Sequence, residues 1–160
     1  MKTVQPHIVG LYVSQGGVPK HEISSARIRT QGIEGDRQRD LRYHGGPERA
    51  LCLYSYECIE RLRAEGHPIV PGATGENIVL AGLDWNEITP GTRLQLGNEV
   101  EIEITSYCTP CSKIAGCFLD GDFNRIHHKK TLGESRLYAK VLQGGALQPG
   151  DAVTVLDSED

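Results

Sequence analysis

The sequence contains no apolar run near the roughly 20 residues that a bilayer-spanning helix needs, so a membrane partner is not expected. Nor does it carry surplus positive charge: 17 Lys and Arg stand against 21 Asp and Glu, a formal net charge of -4. That balance gives no reason to expect nucleic acid or an anionic membrane surface as a bulk partner. The opening MKTVQPHIVGLYVS holds one Lys and no small-residue cleavage site behind an apolar core. A secretory signal is therefore not expected, and the cytoplasm is the default compartment. Internal repeats and linkers are also missing. With 38% apolar and 24% charged residues, the chain reads as one soluble globular domain over residues 1–160, with about 155–160 as an acidic tail.

Helical periodicity is scarce, whereas 19 Gly and 8 Pro place turn signals throughout. Residues 7–14 (HIVGLYVS) read as a strand, residues 23–30 (ISSARIRT) as its return, and residues 49–55 (RALCLYS) as a buried strand. The clearest hairpin alternates Leu94 and Leu96 before Gly97-Asn98, then Val100, Ile102 and Ile104 after it. Two closing strands are expected in RLYAKVLQGG and DAVTVL. The best helix spans residues 56–65, with Cys58, Ile59 and Leu62 at helical spacing and Gly66 to end it. A short basic helix is expected in DFNRIHHKK. Many short strands with a few short peripheral helices predict a mostly β fold, a barrel or a sandwich.

Five cysteines in a chain without an export signal predict reduced thiols, and three of them lie in ITSYCTPCSKIAGC. Cys108 and Cys111 form a C-x-x-C, but the thioredoxin-like βαβ setting is absent. A zinc site lacks a second C-x-x-C, and His127 and His128 stand at awkward spacing. Cys111 differs from its neighbours: it follows Pro110, precedes Lys113 and sits where a strand turns toward a helix. A thiol at a helix N-terminus near a cation is available as a thiolate, the soft ligand of thiophilic metals. Continued alternation from Ile102 and Ile104 would turn Cys108 toward the core. Cys52 and Cys58 read as buried hydrophobes, and Cys117 is open to the same reading.

Two polar stretches stand out. Residues 32–50 (GIEGDRQRDLRYHGGPERA) gather Arg37, Arg39, Arg42 and Arg49 with Asp36, His44 and the Gly45-Gly46 pair. Such a loop suits an anion held by guanidinium forks and backbone amides, or else a solvated hairpin of ion pairs. Residues 71–80 (PGATGENIVL) hold Thr74, Glu76 and Asn77 between glycines and a strand, without the Lys of a P-loop.

Taken together, GIEGDRQRDLRYHGGPERALCLYS, GATGENI, TPCSKIAG and RLYAKVLQGGALQPGDAVTVL resemble a stand-alone MOSC domain, the module named for the C-terminal part of molybdenum-cofactor sulfurases. The resemblance spans nearly the whole chain in order. It implies a MOSC-like β-barrel and a molybdenum cofactor of the molybdopterin type, bound through one cysteine. Cys111 occupies that position and is the implied metal ligand and catalytic residue. Arg37, His44, Gly45, Thr74, Asn77, Lys113 and Arg136 are the implied cofactor-binding residues. Related reductases often carry a basic residue shortly before the Pro-Cys, where this chain has Ser106, Tyr107, Cys108 and Thr109. The implied activity is reduction of small N-hydroxylated compounds with electrons from a separate reductase. A sulfur carrier holding a persulfide on Cys111, and a cofactor-binding or storage module without turnover, are the alternatives.

Overall fold

In the computed structural model, which describes residues 4–36 and 46–156, the Leu94/Leu96 and Val100/Ile102/Ile104 alternation forms the expected hairpin. Strands β7 (Arg93–Leu96) and β8 (Val100–Cys108) pair with Leu96 opposite Val100 and Leu94 opposite Ile102. All five apolar side chains are buried on one face. The turn between them passes through Gly97 at φ 62°, a left-handed conformation that glycine adopts without steric cost.

The other strands are β1 (His7–Val13), β2 (His21–Ile23), β3 (Ala26–Arg29), β4 (Gly32–Ile33), β5 (Leu51–Ser55), β6 (Ile78–Ala81), β9 (Arg136–Gln143), β10 (Gly145–Leu147) and β11 (Val153–Leu156). Together with β7 and β8, six of these form an eight-stranded sheet in the order β11-β7-β8-β9-β5-β6-β1-β2, and β10-β3-β4 form a second. The expected returning strand at residues 23–30 is thus two strands in different sheets. Among the described residues only β5 and β6 pair in parallel, because helix α1 (Tyr56–Ala64) leads the crossover between them. Ser55 caps α1 by accepting from the Cys58 amide at 3.1 Å, and Cys58, Ile59 and Leu62 pack into the core. The expected basic helix is a 3-10 turn, Phe123–Ile126, stopping before the two histidines.

The mostly β class holds, but the large sheet does not close into a barrel. Strand β1, one in from the edge strand β2, approaches the opposite edge strand β11 at one corner, through a bridge between His7 and Ala152 and bonds such as Ile8 N to Asp151 O at 2.9 Å. Closure stops there because β2 takes the hydrogen-bonding edge of β1 from Leu11 to Val13.

Strand β8 shapes the site. Its pairing with β9 shifts between Ile104 and Ser106, so Ile104 opposes Ala139 while Ser106 opposes Tyr138 and Cys108 opposes Arg136. Such a bulge flips every later side chain to the other face. Cys108 therefore does not continue the core-facing set. It is 3% exposed, in a separate small cluster with Cys52 and Tyr138, while Tyr107 packs on the core.

Candidate functional site

A cleft of about 100 Å³ opens beside this cluster. Strands β5, β8 and β9 form its floor with Cys52, Cys108, Arg136 and Tyr138. Thr74, Gly75 and Asn77 make one wall, Cys111, Lys113 and Ile114 a second, and Gly17, Val18 and Lys20 the third. Five of the residues named from sequence, Thr74, Asn77, Cys111, Lys113 and Arg136, therefore share one cavity although they come from three distant stretches. Arg37, His44 and Gly45 lie outside the described residues.

Cys111 is half-buried and caps a 3-10 helix, Ser112–Cys117. Its backbone is extended, three residues past the end of β8, and its carbonyl accepts from the Ile114 amide at 3.1 Å. The expected helix is thus a single tight 3-10 segment. The other thiols differ in setting, and no disulfide joins any of the five. Cys52 shares a hydrogen bond with Cys108, and that bond together with burial pushes the Cys52 thiol well up. Burial also raises Cys58, which sits between the Gly133 carbonyl at 3.4 Å and the Arg61 guanidinium at 3.2 Å. Cys117 is likewise raised by burial, and its sulfur lies 3.7 Å from the Ala73 carbonyl.

Arg136 is the buried cation of the floor. One guanidinium nitrogen donates to the Thr74 carbonyl, while Nε is buried without a hydrogen-bond partner among the described residues. Burial works against its charge, but the Cys108 and Cys52 thiols and the Glu76 carboxyl outweigh that and raise its proton affinity. Glu76 is itself buried, and burial lifts its carboxyl above the ordinary range. Its Oε1 accepts from the Thr74 hydroxyl at 2.9 Å and the Thr74 amide at 3.2 Å, and its Oε2 has no partner among the described residues. Thr74 thus spends its hydroxyl and carbonyl on bracing the wall.

Asn77 also braces. Its Oδ1 accepts from the Cys52 amide at 3.0 Å, and its Nδ2 donates to the Tyr12 carbonyl at 3.2 Å and to Asp36 at 3.0 Å. With its amide hydrogens and oxygen so committed, it fixes the cavity's shape. Sequence reasoning did not single out Lys20, Cys52 and Tyr138 as site residues. The signal for Lys20 was present in GGVPK, where Gly16 and Gly17 adopt positive φ and lead a cation to the cleft.

A mostly β fold with a cysteine-and-cation cleft beside its β8–β9 ladder is the setting in which the comparisons fall. The MOSC domain model matches residues 40–154, and the chain belongs to the MOSC domain family, a family associated with the molybdenum cofactor. Curated relatives include Uncharacterized protein YflK of Bacillus subtilis (strain 168), 29% identical over 150 residues, and Protein YiiM of Escherichia coli (strain K12), 33% identical over 102 residues. The matched regions cover 92% and 61% of this chain but only 66% and 45% of those proteins, so the chain spans less than two-thirds of either. A protein of Gibberella moniliformis (strain M3125 / FGSC 7600) named Reductase is 30% identical over 132 residues, which are 79% of this chain and 23% of that protein. Among solved structures, YiiM from Geobacillus stearothermophilus superposes with a TM-score of 0.75 at 24% identity, covering 95% of this chain and 75% of that one. YuaD from Bacillus subtilis gives 0.70 at 19% identity and covers 94% of both. These likenesses establish the fold. No helix among the described residues is long and apolar enough to cross a membrane.

Proposed function

We propose that this chain binds a molybdenum cofactor of the molybdopterin type through Cys111 and reduces N-hydroxylated compounds with electrons from a separate reductase. The observation that carries this reading is the meeting of a half-exposed thiol with Lys113 and Arg136 in one cleft. The donor set suits the group: a thiolate is a ligand for a thiophilic metal, and the orphaned Arg136 Nε is a charged donor for a ligand oxygen. No three His, Cys, Asp or Glu side chains among the described residues are arranged to hold a metal.

When bound, the cofactor supplies a two-electron metal centre at which an N–O bond is broken. The chain's own residues hold and shape. Cys111 would be the protein's ligand, and Lys113 and Arg136 would hold anionic oxygens of the group. Thr74 and Asn77 keep the wall rigid through bonds to Arg136, Cys52 and Tyr12. The buried Cys52–Cys108–Tyr138 cluster keeps water from the floor. The cleft falls below the roughly 300–1,000 Å³ of ordinary small-molecule sites, so its described walls enclose only part of a pterin-sized ligand. The reading gives the remainder to Arg37, His44 and Gly45. The name of the Gibberella relative agrees with a reductase, and its much greater length leaves room for electron-supplying parts beyond the matched region.

The test is molybdenum and pterin analysis of protein from a cofactor-competent host, followed by turnover of an N-hydroxylated purine with a flavin reductase supplied. Stoichiometric metal with turnover supports the enzyme. Metal without turnover of any N-hydroxylated compound would favour storage. Cyanide-labile sulfur on Cys111 without molybdenum would replace the proposal with a sulfur carrier.

A further inference from the structure

We propose that Lys20 is an oxyanion-binding residue of this cleft, and that Asp36 is the residue that positions it. The backbone of Lys20 is pinned by its amide, which donates to the Gly72 carbonyl at 2.9 Å. Its ammonium lies 2.6 and 2.7 Å from the two oxygens of Asp36, with side-chain exposures of only 8% and 5%. Asp36 is fixed in turn, accepting from the Ser14 amide at 2.9 Å and from Asn77 Nδ2 at 3.0 Å. Three separate segments thus aim one carboxylate at one ammonium. An ammonium has three N–H donors, of which Asp36 takes two. The third is left for the cleft that Lys20 lines.

Burying an ion pair costs desolvation that an apolar pair of similar size would avoid. A held cation at a cavity wall accounts for keeping it, because a donor fixed in advance loses little freedom when a ligand arrives. The charge balance specifies the ligand. Asp36 offsets Lys20, whereas Lys113 and Arg136 line the cleft with the buried Glu76 as the carboxyl opposing Arg136 among the described residues. The positive excess suits an anion, and charge-assisted N–H donors suit its oxygens. The shared chemistry is a compact oxyanion, either a phosphate group or a free oxyanion such as molybdate. The site rests on the cofactor reading only for the ligand's identity.

The experiment uses the full chain from a host unable to make the cofactor, titrated calorimetrically with orthophosphate and, separately, with molybdate. Tighter binding of orthophosphate marks a phosphate-group subsite, and tighter binding of molybdate marks a free-oxyanion subsite. Lys20→Met should weaken the better-bound oxyanion by about tenfold or more, and Lys20→Arg should stay within about threefold of the parent. In an Asp36→Asn background, Lys20→Met should cost less than about threefold, since the ammonium is no longer held in place. Melting curves accompany each variant, and Lys20→Gln substitutes if Lys20→Met does not fold. Parent-like affinity in a folded Lys20→Met or Lys20→Gln protein overturns the proposal, as does a parent that binds neither oxyanion at millimolar concentration. An undiminished effect in the Asp36→Asn background overturns the positioning role. Absence of molybdenum from protein made in a competent host would sink the cofactor reading and leave this titration standing.

Discussion

Arg136 donates a hydrogen bond to the carbonyl of Thr74 across 62 residues of chain, tying strand β9 to the loop ahead of β6 at the floor of the cleft. The bond joins two stretches that no local pattern relates, and it places a cation beneath the ligand space. Its partners are buried, so the floor cannot lose it and relax into water.

Replacing Arg136 by Met should therefore destabilise the fold as well as the site. The Thr74 carbonyl would lose its charged donor and Glu76 its nearest buried countercharge, a loss on the order of 3 kcal/mol. Urea unfolding measures it. A variant as stable as the parent would show that the guanidinium carries no structural load and leave it a ligand-binding role alone.

Single Cys→Ser proteins at 108, 111 and 117, made in a cofactor-competent host, separate the thiols by what each touches. Cys111→Ser should abolish turnover of an N-hydroxylated base and weaken molybdenum retention, with stability changed by less than about 1 kcal/mol, since the side chain is only half-buried. Cys117→Ser should keep both properties because its sulfur contacts the Ala73 carbonyl outside the cleft lining. Cys108→Ser should keep the metal. Full activity in Cys111→Ser would remove the thiolate from the mechanism.

The resemblance implies Asn77 as a cofactor-binding residue, and in the structure it lines the cleft while its side chain makes three bonds to protein. Asn77→Ala should cost about 2–3 kcal/mol, because the Cys52 amide and the Tyr12 carbonyl are left buried without this partner. Asn77→Asp keeps the acceptor for Cys52 but sets a carboxylate against Asp36, and should be no better. Denaturant midpoints of the two variants decide the point. A mild Asn77→Ala with strongly reduced ligand affinity would restore the contact role.

The parts of the fold that were legible in sequence are those with a local cause. The β7–β8 hairpin follows from strict alternation around Gly97, and α1 follows from its buried spacing behind the Ser55 cap. Cys111 stood out because Pro110 and Lys113 flank it at a strand end. What could not be read has a non-local cause. The β8 bulge that carries Cys108 away from the core is visible only against β9. The open corner of the sheet depends on which partner takes the edge of β1. Lys20 falls between the stretches read as strands, and its meaning lies in Asp36, 16 residues on, and in the loop that both brace.

The last prediction concerns Glu76. Burial holds its carboxyl above the ordinary carboxylate range, and bonds from Thr74 and the nearby Arg136 offset this only in part. A carboxyl whose proton affinity is higher folded than unfolded contributes stability that is fully present below the unfolded pKa and is lost as pH rises through the folded one. Glu65 and Glu103 act in the opposite sense: bonds from Arg125 and Arg93 lower them, and their contribution is lost as pH falls. Glu76→Gln removes only the first effect. Unfolding free energies of parent and variant, compared from about pH 4 to about pH 8, should show the parent losing stability relative to Glu76→Gln as pH rises. Salt should change that difference little, because the group is buried whereas Glu65 is exposed and Glu103 only partly buried. A difference independent of pH would mean that Glu76 titrates alike in both states. A difference of opposite slope would mean that Arg136 holds it ionised, and the buried pair would then be a full salt bridge.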